Sequence, residues 1–170
     1  MNRRHFATFA GLSGLSALPA CGFKLRGSLR FAFESIAVTP VTGSAVAVEL
    51  RRALEGNVKV LEFSATPGTT AVPPQVILDV LTEQREKTVV GVNAAGQVRE
   101  FQLRIRVKFR LRTPEGKELI ADTELLQQRD ISFNESAVLA KEAEEALLYR
   151  NMQTDIVQQL MRRLAAVSLS

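Results

Sequence analysis

Phe101-Gln102-Leu103-Arg104-Ile105-Arg106-Val107-Lys108-Phe109-Arg110-Leu111-Arg112 alternates apolar and polar side chains from end to end. A period of two is the signature of a half-buried β-strand, because successive side chains leave opposite faces of the pleat. Phe101, Leu103, Ile105, Val107, Phe109 and Leu111 form one face, fit for a core. Arg104, Arg106, Lys108, Arg110 and Arg112 form the other. At a rise of about 3.4 Å per residue the cations stand roughly 7 Å apart, as a ridge.

Working outward, Asn93-Ala94-Ala95-Gly96 precedes this strand and Thr113-Pro114-Glu115-Gly116-Lys117 follows it. Both have turn composition. Extended segments over 76–92 and from 118 to about 129 lie beyond the turns, so two hairpins in succession make a meander. Upstream, residues 34–39 read as a short strand stopped by Pro40. Ser44 can cap a helix over 45–55, closed by Gly56 at the C′ position, with Val46, Leu50 and Leu54 as its buried stripe. Residues 58–63 give a second strand and complete a βαβ unit. A Pro- and Gly-bearing loop (Pro67, Gly68, Pro73, Pro74) separates it from the meander.

The chain ends in a pattern for a long helix from about 135 to 167, with Asn134 as N-cap. Leu139, Ala143, Ala146, Tyr149, Met152, Ile156, Leu160 and Leu164 recur at steps of three and four. The fold expected is α+β: two helices packed on one face of a mixed four- to five-stranded sheet, in one domain over 34–170.

At 170 residues, with 46% hydrophobic and 24% charged side chains, the chain has the composition of an ordinary globular protein. Its net charge of +4 hints at nucleic acid, but residues 1–20 read as a leader. Removing Arg3 and Arg4 from the 22 basic residues leaves 20 against 18 acids, a net of +2. No nucleic-acid partner is expected. The leader has a basic start (Arg3, Arg4, His5), an apolar run over 6–17 too short to span a bilayer, and Leu18-Pro19-Ala20 before Cys21.

Leu-x-Ala-Cys has the form of a bacterial lipobox. Cys21, the one cysteine of the chain, supplies the thiol that takes the glyceride. Acyl chains on it, at about 0.8 kcal/mol per buried methylene, would hold the protein on a membrane. Gly22 follows, not the Asp of an inner-membrane retention signal. The expected address is the periplasmic face of the outer membrane, with residues 21–33 as an acylated linker.

The cationic ridge has two readings. It is a solvated sheet face, with Lys108 opposite Asp122, Arg106 opposite Glu124 and Arg112 opposite Glu118 across the turn at 113–117. Or it faces an anion, since Arg110 then meets Ile120 and Arg104 meets Leu126. In the periplasm the abundant polyanion is a phosphorylated glycolipid, which Arg and Lys bind by charge-assisted hydrogen bonds.

Catalysis is not expected. The one His is His5, in the leader, so no Ser-His-Asp triad, Cys-His pair or zinc site of usual composition can form in the mature chain. Phosphate-cradling glycine loops are missing from the sequence, and no cofactor or metal is expected. Glu142, Glu144 and Glu145 could supply a carboxylate pair, but they sit in an Ala-rich helical turn beside Lys141 and read as a solvated helix face.

Cys21-Gly22-Phe23-Lys24-Leu25-Arg26-Gly27 resembles the start of the LptE family, the lipopolysaccharide-assembly lipoproteins. The likeness continues at 48–57, at Gly96-Gln97 with Glu100-Phe101-Gln102, at Leu139-Ala140-Lys141 and over 158–164. The resemblance implies a plug inside the β-barrel of LptD that helps the barrel assemble and takes part in lipopolysaccharide delivery. It also implies that Lys141 binds lipopolysaccharide. The family's other basic position is Ala94 here. The rival expectations are a general periplasmic lipoprotein scaffold and a small lipid-carrying lipoprotein.

Overall fold

The computed structural model describes residues 29–40, 42–62 and 72–169. The leader, Cys21 and the opening motif at 21–27 lie outside the described residues.

The apolar run of β1 (Ser35–Thr39) is buried at its centre, and its hydrogen-bonding edges pair on both sides. Helix α1 (Ala45–Glu55) then returns the chain to β2 (Lys59–Leu61), which lies parallel to β1. Ser44 starts the helix: its Oγ accepts from the Ala47 N–H at 3.0 Å, as an N-cap should. Val46, Ala47, Leu50 and Leu54 form the buried stripe. Gly56 closes the helix in right-handed conformation (φ −76°), not in the left-handed one of a C′ glycine. The last carbonyls are met instead by the Asn57 and Val58 N–H groups, both bonded to Leu54 O, and by the Asn57 side chain on Ala53 O.

Strands β3 (Val76–Val92), β4 (Val98–Arg112) and β5 (Glu118–Ser132) form the meander. Its two turns share one design. Gly96 and Gly116 take φ of +77° and +93°, the left-handed position that ends a short hairpin loop and that a side chain would strain. The full sheet has the order β2-β1-β3-β4-β5, with β1 parallel to β2 and β3 and the remainder antiparallel. Beyond β5, no further strand pairs among the described residues.

Both helices cover the same face of the sheet. Leu103, Ile105, Val107, Phe109 and Leu111 of β4 are fully buried beneath them, with Phe33 already part of the same core. The C-terminal helix α2 (Val138–Ala165) is preceded by a separate 3-10 turn, Glu135–Ala137, and Asn134 caps that turn through the Ser136 N–H. No helix of the described residues is long and apolar enough to cross a membrane.

The two halves of α2 are packed differently. Met152, Ile156, Val157, Leu160, Met161 and Leu164 are buried. In the first half the expected stripe fails: Leu139 is 82% exposed, and Ala143 and Ala146 are exposed as well. The partly buried positions are Lys141, Glu145, Leu148 and Tyr149. A bulge in β3 explains the change. Val76, Leu78 and Val80 face the helices, and the register then skips from Val80 to Thr82. Beyond it Glu83, Arg85 and Lys87 oppose Val107, Ile105 and Leu103, and so share the helix-side face. Charged residues there require polar partners on α2, which outweighs the apolar spacing of the helix sequence.

Such partners are present on both helices. Glu83 accepts from Ser44 Oγ (2.7 Å) and the Val46 N–H (3.2 Å). Arg85 donates to Gln153 and lies over the Tyr149 ring. Gln153 and Thr154 both donate to Glu49 of α1 and tie the two helices together.

Candidate ligand and partner surfaces

The face of the sheet away from the helices carries the ridge. Arg104, Arg106, Lys108, Arg110 and Arg112 all project from it, as the alternation of β4 requires. The register across to β5 differs from the expected one. Only Arg112 opposite Glu118 is kept. Two irregularities near the turn slide the rest by two residues, so Lys108 stands opposite Glu124, Arg106 opposite Leu126 and Arg104 opposite Gln128. A slide of two preserves the face. The expected ion pairs survive as diagonals: Lys108 to Asp122 at 3.2 Å and Arg106 to Glu124 at 3.3 Å.

Arg110 does not lack an acid. Its Nε donates to Asp79 Oδ2 at 2.8 Å, and Arg112 Nε donates to the same oxygen at 2.8 Å. Thr39 Oγ1 donates to Asp79 Oδ1 at 2.6 Å. Asp79 is only 8% exposed. Burial alone would raise its pKa, but the hydrogen bonds from Arg112, Thr39 and Arg110 together prevail and hold it at about 2. The same contact, with its charge, raises the pKa of Arg110. Arg104 donates from Nε to the Gln102 side chain at 2.8 Å and faces Glu86 of β3 in register. The ridge is therefore one column of a mixed-charge lattice, with acids supplied by the strands on both sides. One atom is left over: Arg106 Nε is buried with no hydrogen-bond partner.

Lys141 lies on the opposite side, in the first turn of α2. Its Nζ donates to Ser132 Oγ (3.0 Å) and Glu144 Oε2 (2.8 Å). With Lys87 it lines a small cavity of about 70 Å3, walled by Phe101, Ile131, Phe133, Val138, Glu142 and Glu145. Phe101 and Phe133 meet edge to face at 5.3 Å. Lys87 Nζ sits 4.4 Å from the Phe101 ring centroid and 2.6 Å from Glu145 Oε2. Glu142 and Glu144 are exposed, as a solvated helix face would have them; Glu145 is not, being turned inward onto Lys87. Ala94 is exposed in the β3–β4 turn.

The structure thus separates the expected basic residues into two groups on opposite sides of the sheet. Sequence reasoning missed Asp79 and Lys87. For Asp79 a signal existed: an acid inside the run Val76-Ile77-Leu78-Asp79-Val80 cannot be buried alone. Lys87 had none, since its inward direction depends on the bulge.

Comparison with known proteins gives a consistent result. Residues 25–164 match the family model described as "LptE: Lipopolysaccharide-assembly". The LPS-assembly lipoprotein LptE of Photorhabdus laumondii is 30% identical over 165 residues, covering 92% of this chain and 84% of that one. The solution NMR structure of an uncharacterized lipoprotein B from Nitrosomonas europaea superposes with a TM-score of 0.71 at 33% identity, over 85% of this chain and 91% of that one. The crystal structure of the rare lipoprotein B from Shewanella oneidensis shares the fold, with a TM-score of 0.63 at 21% identity over 78% of this chain and 94% of the other.

Proposed function

The chain belongs to the LptE lipopolysaccharide-assembly family, and from that membership we propose that it is an outer-membrane lipoprotein, tethered through acylated Cys21, that plugs and helps assemble an LptD-like β-barrel during lipopolysaccharide delivery. It performs this work by shape and charge, without turnover. In the same proposal, Lys141 meets a phosphate of the lipid.

The observation that carries the plug reading is the outer face of the sheet. A barrel lumen is polar, and a wedge entering one must bring a polar face without stranding unpaired charge, which is costly when water is excluded. Here four of the five ridge cations, Arg106, Lys108, Arg110 and Arg112, are met by Asp79, Asp122 and Glu124, on a rigid strand whose reverse side is core. The lipid-carrier alternative draws less support. The cavity near Lys141, about 70 Å3, is well under the roughly 300 Å3 at which sites that enclose a small ligand begin. The larger cavity, about 700 Å3, is an open groove between the residue 29–34 segment and the α1–β2 connection.

The test is affinity purification of the tagged full-length lipoprotein from outer membranes in mild detergent. A large β-barrel is expected to co-elute in stoichiometric amount. Recovery of the chain alone from those membranes would leave the general scaffold as the better reading.

A further inference from the structure

An open groove of about 700 Å3 runs between the residue 29–34 segment and the α1–β2 connection, and it shares no residue with the surfaces described above. Two cations, Arg30 and Lys59, and two acids, Glu34 and Glu55, line it together with Phe31 and Phe33. The two rings lie 5.4 Å apart. The backbone fixes its walls: the Lys59 N–H donates to Glu34 O at 2.8 Å, and the Glu34 N–H donates to Gln75 Oε1 at 2.7 Å. Despite their opposite signs, none of the four charged side chains makes an ion pair or a hydrogen bond among the described residues. On the ridge, by contrast, facing charges close to between 2.8 and 3.3 Å. Glu55 is also the last residue of α1, where the negative end of the helix dipole disfavours an acid and attracts a cation.

We propose that this groove holds the zwitterionic headgroup of a phospholipid in the membrane to which the chain is tethered, with the phosphate on Arg30 and Lys59 and the ammonium on Glu34 and Glu55. The charge pattern selects the ligand. A simple anion would meet two cations and be repelled by two acids, whereas a headgroup carrying both signs complements all four. The volume falls within the roughly 300–1,000 Å3 of small-ligand sites. The open side lets the lipid chains stay in the bilayer, so no lipid has to be extracted, and Phe31 and Phe33 offer the glyceride an apolar surface. The tether supplies the source of the lipid. Leu29 lines the groove and stands eight residues after Cys21, so the acylated sulfur is within about 28 Å of the rim even at full extension. Acyl chains on a linker hold the domain near a membrane in any orientation; a headgroup in this groove fixes which end faces it. The inference rests on the proposal that Cys21 is acylated.

The experiment is native mass spectrometry of the full-length lipoprotein in neutral detergent, titrated in parallel with phosphatidylethanolamine and with phosphatidylglycerol of the same chains. One molecule of the ethanolamine lipid is expected to bind, about tenfold more tightly than the glycerol lipid. Arg30→Gln combined with Lys59→Gln should weaken it by about tenfold or more, the loss expected for hydrogen bonds to charged groups. Glu34→Gln combined with Glu55→Gln should instead tighten the glycerol lipid and reverse the preference. All four positions are exposed, and a misfolded variant cannot gain affinity, so the second pair guards against a folding artefact. Equal binding of the two lipids by the wild type, or a preference unmoved by Glu34→Gln with Glu55→Gln, overturns the site and leaves the anchor reading in place. The intact mass in the same spectra reads the anchor: an unmodified Cys21 overturns the acylation, and with it the membrane as the source of the lipid.

Discussion

Asp79 of β3 accepts hydrogen bonds from the Nε–H groups of both Arg110 and Arg112 on a single carboxylate oxygen, each at 2.8 Å. An acid in a buried run is thereby made compatible with the sheet, and two of the ridge cations are fixed in place. Asp79→Asn keeps the shape but removes the charge that both guanidiniums face. A stability loss of about 1–3 kcal/mol is expected, measured by urea denaturation at neutral pH.

The same carboxylate sets an acid limit. Its folded pKa, about 2, lies below the ordinary carboxylate value of 3.8, so its contribution is fully present above about pH 4. It is lost as pH falls through about 2, and by linkage amounts to about 2 kcal/mol. In Asp79→Asn the wild-type minus variant stability difference is expected to shrink across that window. A difference that stays constant from pH 5 to pH 2 (approximate bounds of the transition) would remove Asp79 as its source.

Reversing Arg106 and Lys108 to Glu breaks the diagonal pairs with Glu124 and Asp122. Those pairs are about half exposed, so the stability cost is expected to stay near or below 1 kcal/mol each. Co-elution of the barrel should nonetheless fall, because the reversed face presents unpaired acids to a lumen. Unchanged co-elution, together with unchanged glycolipid binding, would reduce the ridge to a solvated face.

Phe109, fully buried at the centre of β4, gives the opposite contrast. Phe109→Ala is expected to cost about 3–5 kcal/mol through lost transfer energy and a residual cavity. Thermal melts followed by circular dichroism would show it.

Helix α2 offers a test of its own packing phase. Leu139→Asp, at an exposed position, should change stability by no more than about 0.5 kcal/mol and so leave the melting temperature nearly unchanged. Leu148→Asp, packed against the core, should lower it clearly. Native hydrogen exchange should protect the amides of the second half of the helix longer than those of the first half, where fewer apolar contacts hold the turn closed.

Much of this was legible in the sequence, for a physical reason. Alternation in residues 101–112 names a strand and both its faces without knowledge of any neighbour, and the Gly-bearing loops before and after it fix the hairpins. Helix α1 announced itself through Ser44 and a stripe at steps of four. The failures concern what one element does to another. The bulge at Leu81 is a pairwise event between β3 and β4, and it decided that Arg85 and Lys87 turn inward. That in turn made Lys141 and Glu145 the inward residues of α2 in place of Leu139 and Ala143. Gly56 was misjudged because the backbone N–H groups of Asn57 and Val58, with the Asn57 side chain, close the helix without a left-handed residue. For the candidate surfaces, the cations were visible from their spacing and Asp122 and Glu124 from the nearby turn; Asp79 was not, since it lies 31 residues from Arg110.

Strand β5 leaves a further consequence. Among the described residues it is an outermost strand, fifteen residues from Glu118 to Ser132, and it contains neither proline nor lysine, the residues that commonly blunt such margins. Along roughly 50 Å every second amide looks away from the molecule toward whatever lies alongside. Stored concentrated and by itself, the protein is therefore expected to self-associate margin to margin, visible as rising light scattering. Replacing Leu126 or Gln128, exposed on the face away from the helices, with Lys should slow that rise, making solubility in the flask a property of one bare hem.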